Sequence, residues 1–353
     1  MSTDGDTFAE QKRKGLRVAL AVSIGFTMAV SWGAIIPFLG PLFASQFLLG
    51  SSHPMPLAKA VGAMLVVLIA GMAMMFLTSI SGERPASFLL ILGLIFFVCF
   101  AMQTTGKGGP AIFLILVVAI TVPLIGILNK ELAGSILSIL ITGVLSGTLL
   151  MWVAHAIFPE PSALRVESVL PTERSPDLLR ALANAVILLA SVGICLTSDN
   201  LTTAVVIPIT VASLLGQVDA AAGKRAMIGL VLVNLLGGLL ASLAYAMLTL
   251  RPSLFSIFLI ILVVALSLGG RAALRSPDAP MFAGALTIFL ILFGLGVSPL
   301  PGSAADSFAT RIVYVGAALV YTLLLVAILR PARTGTMIFS KAGGPRQGTS
   351  IAE

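Results

Sequence analysis

The sequence predicts an all-α, polytopic membrane protein with about twelve transmembrane helices, on the basis of its composition, its apolar runs and its positive charges. Hydrophobic residues make up 58% of the 353 residues and charged residues only 10%, whereas a soluble domain carries roughly 25% charged residues. So few charges do not cover a water-exposed surface, and the mean hydropathy is +1.10. Apolar runs of about 20 residues, the length that crosses a bilayer, recur along the chain.

Glycine, proline and charged residues divide the apolar sequence into twelve predicted spans. The first half contains the runs 16–32, 34–50, 58–79, 87–103, 110–128 and 133–157. The second half contains the runs 179–197, 201–217, 225–248, 254–270, 280–297 and 308–329.

The positive charges predict the number of crossings and the orientation, because Lys and Arg are retained in cytoplasmic loops. Twelve crossings and a cytoplasmic N-terminus put 17 of the 21 Lys and Arg residues on the cytoplasmic side; the others are Arg84, Lys130, Arg251 and Arg311. A single crossing by 16–50 changes the split to 8 against 13. Single crossings by both 16–50 and 179–217 leave ten helices and a split of 14 against 7. Twelve helices are therefore predicted, with ten as the alternative.

The two halves of the chain resemble each other. Each second span carries a proline nine residues before a glutamine, at Pro37 and Gln46 and again at Pro208 and Gln217, an offset of 171 residues. Basic residues also open the first span of each half, at Arg17 and Arg180. Six spans per half is an even number, so both halves enter the membrane from the same side. The prediction is two parallel six-helix repeats related by an axis along the membrane normal.

This repeat predicts the domain organisation of the chain. A cytoplasmic N-terminal tail (1–15) precedes the first repeat (16–157), and a cytoplasmic linker (158–178) connects it to the second repeat (179–330). A cytoplasmic C-terminal tail (331–353) follows.

Four segments carry a resemblance to a known family: LRVALAVSIGF, Trp32–Gln46, KRAMIGLVLVNLLGGLLA (224–241) and RIVYVGAALVYTLLLVAIL (311–329). With its two six-span halves, the chain resembles the fusaric acid resistance and aromatic acid exporter (FUSC-like) family over residues 16–330. It would be a short form, because it lacks the large cytoplasmic domain of many relatives. It also departs from a strict repeat at Arg311, where the first half has Ala133 and Gly134.

The resemblance implies a bacterial inner-membrane exporter with both termini in the cytoplasm. Such proteins use a proton gradient to expel aromatic or other small organic acids. A periplasmic adaptor and an outer-membrane channel are the partners that it implies, in addition to the lipid bilayer and the organic anion. A homo-oligomer is compatible with the Gly-rich helix faces, but no residue specifies one.

Polar residues inside the apolar runs are candidate binding residues, since a charge at mid-bilayer costs ~2.5–3.5 kcal/mol on insertion scales. Asp199 is either a proton-binding carboxylate or a solvated turn residue. Asn234 lies mid-span and binds either a substrate carboxylate or a neighbouring helix. His155 is either a proton relay, because histidine titrates near neutrality, or an interfacial residue.

Other candidates lie near predicted span ends. Arg311 either attracts an anionic substrate with its guanidinium fork or extends to the membrane interface. Arg17 and Arg180 form either a basic entrance for anions or only a topology signal. Gln46 and Gln217 are either substrate contacts at a repeated position or interfacial anchors.

Prolines and glycines indicate where helices break or approach closely. Pro37, Pro41 and Pro208 are predicted to interrupt their helices, a feature that transporters use near binding sites; they are equally compatible with a purely structural role. Gly143 and Gly147 form a GxxxG pair that predicts close helix packing.

Several function classes find no support in the sequence. It has no P-loop, no HExxH and no Ser–His–Asp pattern, so no enzyme, nucleotide site or cofactor is predicted. Two cysteines and two histidines do not make a metal site, and scattered basic residues do not make a nucleic-acid surface. The leading hypothesis is a secondary exporter of organic acids. The alternatives are a non-transporting scaffold of an envelope assembly and a permease served by a separate ATPase.

The predicted orientation is testable with single cysteines at Ser162 and Ser81, after replacement of Cys99 and Cys195. An impermeant thiol reagent should label position 81 in intact cells and leave position 162 unlabelled, because the linker 158–178 is predicted in the cytoplasm and 82–86 in the periplasm. The opposite labelling pattern would contradict both the twelve-helix topology and the parallel repeat.

Overall fold

The structure is a computed structural model that describes residues 3–51, 53–81, 84–105, 109–128, 130–159, 177–196, 206–220, 224–298 and 304–329. In the first half, the helices are α1 (Thr3–Ser31), α2 (Leu39–Gly50), α3 (Leu57–Ser81), α4 (Pro85–Thr104), α5 (Gly109–Leu128) and α6 (Lys130–Ile157). In the second half, they are α7 (Leu178–Leu196), α8 (Val206–Ala220), α9 (Lys224–Leu250), α10 (Leu254–Val264), α11 (Ala279–Val297) and α12 (Ala304–Leu329). A π-helical turn, Ala265–Gly269, extends α10 into a last turn, Gly270–Ala272.

Each predicted span overlaps one of these helices, but several boundaries differ from the prediction, among them the starts of α1 and α2. α1 begins at Thr3, inside the predicted tail, because the polar segment before the apolar run is rich in the good helix formers Glu, Gln, Lys and Arg. α2 begins at Leu39, several residues later than predicted. The chain first turns at Gly33, whose φ of +68° lies in the left-handed region that glycine adopts without strain.

The apolar length of the helices indicates a membrane protein. Seven helices in the described part of the chain, α1, α3, α4, α6, α7, α10 and α11, are long and apolar enough to cross a bilayer. The described apolar stretches of α2, α5, α8, α9 and α12 are shorter. The chain is therefore embedded in a membrane through several helices, and crossings beyond these seven stay a prediction.

Helices α1 and α2 form an antiparallel hairpin. The Lys14 ammonium, in the polar first half of α1, donates a hydrogen bond of 2.9 Å to the Leu49 carbonyl at the end of α2. Residue 14 and residue 49 therefore lie at the same end of the bundle. This hairpin agrees with the prediction that 16–50 crosses twice, and the number of its membrane crossings stays a prediction.

Several predicted cytoplasmic segments meet at this end of the bundle. Arg17 Nε donates to the Phe158 carbonyl after α6 at 2.7 Å, and the Trp152 indole donates to the Met55 carbonyl before α3 at 2.9 Å. Arg275, between α10 and α11, pairs with Glu10 of α1 at 3.7 Å. We call this the basic end, defined by Lys14, Arg17, Phe158, Met55 and Arg275. The grouping agrees with the charge distribution, which puts the same segments on one side.

The GxxxG pair packs α6 closely against α2, as predicted. An ideal Cβ at Gly147 would lie 2.9 Å from the Gly40 carbonyl oxygen and 3.0 Å from the Ala44 backbone nitrogen. At Gly143 it would lie 3.1 Å from Leu39 Cβ. A side chain at Gly147 would meet backbone atoms, which do not move aside as a flexible side chain does.

Helix packing in the first half recurs in the second half. The contacting pairs in the first half include α1–α2, α2–α6, α3–α5, α3–α6 and α5–α6. The second half contains α7–α8, α8–α12, α9–α11, α9–α12 and α11–α12, each pair six helices further along the chain. Contacts between the halves are paired in the same way, α1–α10 with α4–α7 and α2–α11 with α5–α8.

Four helices form a central ring, in which α2 contacts α5, α5 contacts α8, α8 contacts α11 and α11 contacts α2. We call α2, α5, α8 and α11 the ring helices. In α11, 72% of the apolar stretch is buried by the rest of the protein, whereas in α3 only 22% of the corresponding stretch is buried. The exposed apolar side chains of α3, which include Leu65, Ile69, Met72 and Phe76, face the region that lipid would occupy.

Replacement of Gly147 by alanine should lower the free energy of unfolding by about 1–3 kcal/mol, because the added methyl overpacks a backbone contact. Gly134 in the same helix is the control, since no atom lies within 4 Å of an ideal Cβ there. Thermal unfolding of the purified protein in detergent should therefore show Gly147→Ala destabilised and Gly134→Ala unchanged or slightly stabilised. Equal unfolding temperatures would contradict the close α2–α6 packing.

Candidate functional site

The ring helices bring buried polar side chains to the boundary between the two halves. α2 and α5 belong to the first half, and α8 and α11 belong to the second. Each carries a buried hydroxyl residue: Ser45, Thr121, Thr210 and Thr287, all at most 6% exposed. Transporters built from repeats commonly bind substrates between the repeats near mid-membrane, so the ring is the candidate functional site.

Gln46 connects the two halves within this ring. Its amide nitrogen on α2 donates a hydrogen bond of 3.0 Å to the Thr287 hydroxyl on α11. Thr287 in turn donates to the Ala283 carbonyl of its own helix at 3.0 Å. Gln46 is half-buried among protein groups, so it is a contact between the halves rather than only an anchor at the membrane interface.

A second polar position lies near the middle of α5. Pro123 is inside this helix, and its missing N–H leaves the Ala119 carbonyl without its usual intrahelical donor. The Thr121 hydroxyl, in a side chain that is 6% exposed, is buried and has no hydrogen-bond partner among the described residues. An unpaired hydroxyl and a freed carbonyl in the same helix are each able to bind a polar group of a solute. The sequence reasoning missed both residues, although a Thr-x-Pro sequence inside an apolar run was a usable signal.

The predicted helix-breaking prolines lie elsewhere than in helix interiors, which corrects the prediction. Pro37 precedes α2, Pro41 is in the first turn of α2, and Pro208 is in the first turn of α8. A first turn has no intrahelical acceptor for its N–H groups, so a proline there removes no hydrogen bond. These prolines fix where the two short ring helices begin.

Arg17 is buried and bonds a carbonyl at the end of a helix, so its side chain does not line an open entrance for anions. Its side chain is 2% exposed, and its Nε bonds the Phe158 carbonyl just after the C-terminus of α6. A cation at this position also interacts favourably with the α6 dipole. Arg180 lies in a different setting, in the first turn of α7, where its backbone N–H donates to the Asp177 carboxylate at 3.2 Å.

His155 is also at the basic end. The side chain is 8% exposed, and its Nδ1 lies 2.9 Å from the Met151 carbonyl in the preceding turn of α6. His155 lies in the last turn of α6, which is not one of the ring helices.

Four predicted residues are not described in full. Asp199 lies outside the described residues. Gln217, Asn234 and Arg311 lie in α8, α9 and α12 respectively, but their side chains are outside the described part of the structure. Their candidate roles stay predictions.

Comparison with known proteins gives no match: no protein-family model, curated protein or solved structure matches the chain. The class of protein therefore rests on its own helices. They define a polytopic α-helical membrane protein, whose two halves meet at a ring that contains buried polar groups.

Replacement of Arg17 by methionine should lower the free energy of unfolding by about 1–3 kcal/mol, because it removes a buried charged donor from a carbonyl at a helix end. Arg275→Met is the control. Arg275 is 58% exposed and 3.7 Å from Glu10, and exposed pairs of this kind contribute about 0–1 kcal/mol. Unfolding in detergent should separate the two variants; equal stability would contradict a capping role for Arg17.

Proposed function

We propose that this protein is a secondary exporter in the bacterial inner membrane. Its substrates are small organic acids, aromatic acids included. The observation that carries the proposal is the ring, in which Gln46 and Thr287 join the halves. In the same ring the Thr121 hydroxyl is buried without a partner among the described residues. A buried unpaired polar group costs about 1–3 kcal/mol. A helix that retains one beside a proline is better explained by solute binding than by stability.

The twelve-helix topology and the parallel repeat are part of the proposal. The recurrence of the same helix pairs six helices apart supports them, as does the meeting of charged segments at the basic end. Both termini then lie in the cytoplasm, together with the basic end. Alternating access would come from movement of one half against the other around the ring.

Coupling to protons is assigned to groups outside the ring. The segments 39–50, 109–128, 206–218 and 279–297, which cover nearly all of the ring helices, contain no Asp, Glu, Lys, Arg or His. Asp199 is the proposed proton-binding carboxylate, with His155 as the second candidate. Arg311 and Arg180 are proposed to attract the organic anion, and Asn234 and Gln217 to bind it. A periplasmic adaptor and an outer-membrane channel are the proposed partners, with a homo-oligomer as a further option.

A non-transporting membrane scaffold is the alternative that a specific observation favours, because the ring helices are almost free of charge. A permease that depends on a separate ATPase is a third option, which a neighbouring ATPase gene would indicate. Three single variants separate the exporter from the scaffold: charge-neutral replacements of Asp199 and of Arg311, and Asn234→Leu. Retained resistance to organic acids in all three variants would favour the scaffold.

Cells that express the protein should lose radiolabelled aromatic acids faster than cells without the gene, and a protonophore should abolish the difference. The reason is that uphill export of an anion needs an energy source, and the chain has no nucleotide-binding motif. A panel of weak acids is needed because the substrate is not specified. Equal retention of every acid, with and without the protonophore, would contradict export.

The Thr121→Val variant should export about fivefold more slowly, because it removes one neutral hydrogen bond of about 1 kcal/mol to the solute. Thr148→Val is the matched control: Thr148 is fully buried, but its hydroxyl bonds the Val144 carbonyl of its own helix at 2.8 Å, and α6 is outside the ring. Efflux should fall in the first variant and stay near normal in the second. Equal rates would remove α5 from the proposed path.

A further inference from the structure

Gln103, one residue before the end of α4, has an amide that the packing of the bundle does not satisfy. Its Oε1 is buried and has no hydrogen-bond partner in the part of the chain that the structure describes. Its Nε2 points toward the ring helix α8, where it would lie 3.2 Å from an ideal Cβ on Gly216. The absence of a side chain at Gly216 therefore makes room for the amide.

The amide is unfavourable for stability as it stands. A buried acceptor without a donor loses its hydration and gains no bond in return, whereas leucine at the same position would fill similar space without this penalty. Stability alone does not explain the glutamine. A bound molecule that donates a hydrogen bond to Oε1 would explain why a glutamine stands at this position.

Gln103 lies toward the basic end of the bundle. α3 starts beside Met55, which contacts Trp152 at that end. Few residues separate α3 from α4, and the two helices pack together, so α4 runs back toward the basic end. Under the proposed orientation this is the side from which an exporter takes up its solute.

The repeat is broken at this position. The offset of 171 residues that relates Gln46 to Gln217 also relates Ser45 to Gly216. Ser45 is buried, and its hydroxyl bonds the Leu42 carbonyl of its own helix at 2.8 Å. In the first half, Ser45 bonds its own helix. At the equivalent position of the second half, Gly216 has no side chain and leaves space for the Gln103 amide of α4.

We propose that Gln103 is a solute-contact residue, whose Oε1 accepts a hydrogen bond from an O–H or N–H group of the exported acid. Gly216 is its positioning residue, because it leaves the space that the amide occupies. The inference rests on the proposed export function and extends it to specificity: acids that carry a neutral hydrogen-bond donor in addition to the carboxylate are preferred over acids that do not.

The test compares solutes that differ only in the donor. Efflux of the three hydroxybenzoates is measured against the matching methoxybenzoates, in cells that express the wild-type protein or Gln103→Leu. At least one hydroxybenzoate should be preferred over its methoxy partner by about fivefold, the effect of one neutral hydrogen bond. The preference should fall toward one in Gln103→Leu, while the unfolding temperature of the purified variant without solute stays equal or rises.

A second pair of variants tests the geometry without changing the amide itself. Gly216→Val should reduce the same preference, because its Cβ meets the Gln103 amide. Gly193→Val in α7 is the matched control, since an ideal Cβ at Gly193 has no atom within 4 Å; it should leave the preference unchanged.

The outcomes separate this inference from the proposed function. Export with an unchanged hydroxy-to-methoxy preference in Gln103→Leu would overturn the contact and leave export intact, as expected if only water or helix packing uses the amide. A lowered unfolding temperature with unchanged preference would likewise assign Gln103 a structural role. No efflux of any of the six acids or of the wider panel by the wild-type protein would overturn export, and this contact with it.

Discussion

The packing of α2 against α6 is the contact on which the arrangement of the ring depends. α2 has 12 residues and a length of about 18 Å, well short of the ~30 Å hydrocarbon core. Backbone groups at its ends need partners inside the protein, because lipid supplies none. Gly147 lets α2 approach α6, Lys14 bonds the Leu49 carbonyl, and the Ser298 hydroxyl bonds the Ile35 carbonyl. The short helix α2 is stable in this place because α1, α6 and the end of α11 supply the contacts and hydrogen bonds that it needs.

Because other helices surround α2, its polar residues contact protein groups instead of lipid. In a bilayer, helices do not associate through the hydrophobic effect, so close packing and hydrogen bonds between helices hold them together. Gln46 on the enclosed helix therefore faces Thr287 of the other half. The same constraint agrees with the position of two short helices, α2 with 12 residues and α8 with 15, in the ring. The longer α3, by contrast, exposes an apolar face.

Much of the helical organisation could be predicted from the sequence, because apolar runs and breaks determine where membrane helices lie. The close packing at Gly147 was also predictable, since a GxxxG spacing places both glycines on one helix face. The hairpin of α1 and α2 agreed with the positive charges. The polar sites were harder to predict. Thr121 and Gln103 look unremarkable in an apolar sequence, and only the packing of neighbouring helices decides whether a hydroxyl or an amide finds a partner.

Helix ends show the same limit. Arg17 and Arg180 occupy similar sequence positions, and no feature of the surrounding residues predicts different environments for them. Arg17 is buried because the C-terminus of α6 reaches its guanidinium, a contact across more than a hundred residues. Long-range contacts of this kind depend on how the helices assemble, which hydrophobic periodicity does not specify.

The ring combines a repeated scaffold with unrepeated polar groups, and this combination fits the proposed export function. Helix pairs recur in both halves, but Pro123 lies inside α5 while α11 has no proline beyond its first turn. Gly216 likewise admits the Gln103 amide where the first half has Ser45. An organic acid has a carboxylate at one end and a different group at the other, so a binding site with two identical halves would match only one of them. Polar contacts that differ between the halves would therefore bind an asymmetric solute in one preferred orientation.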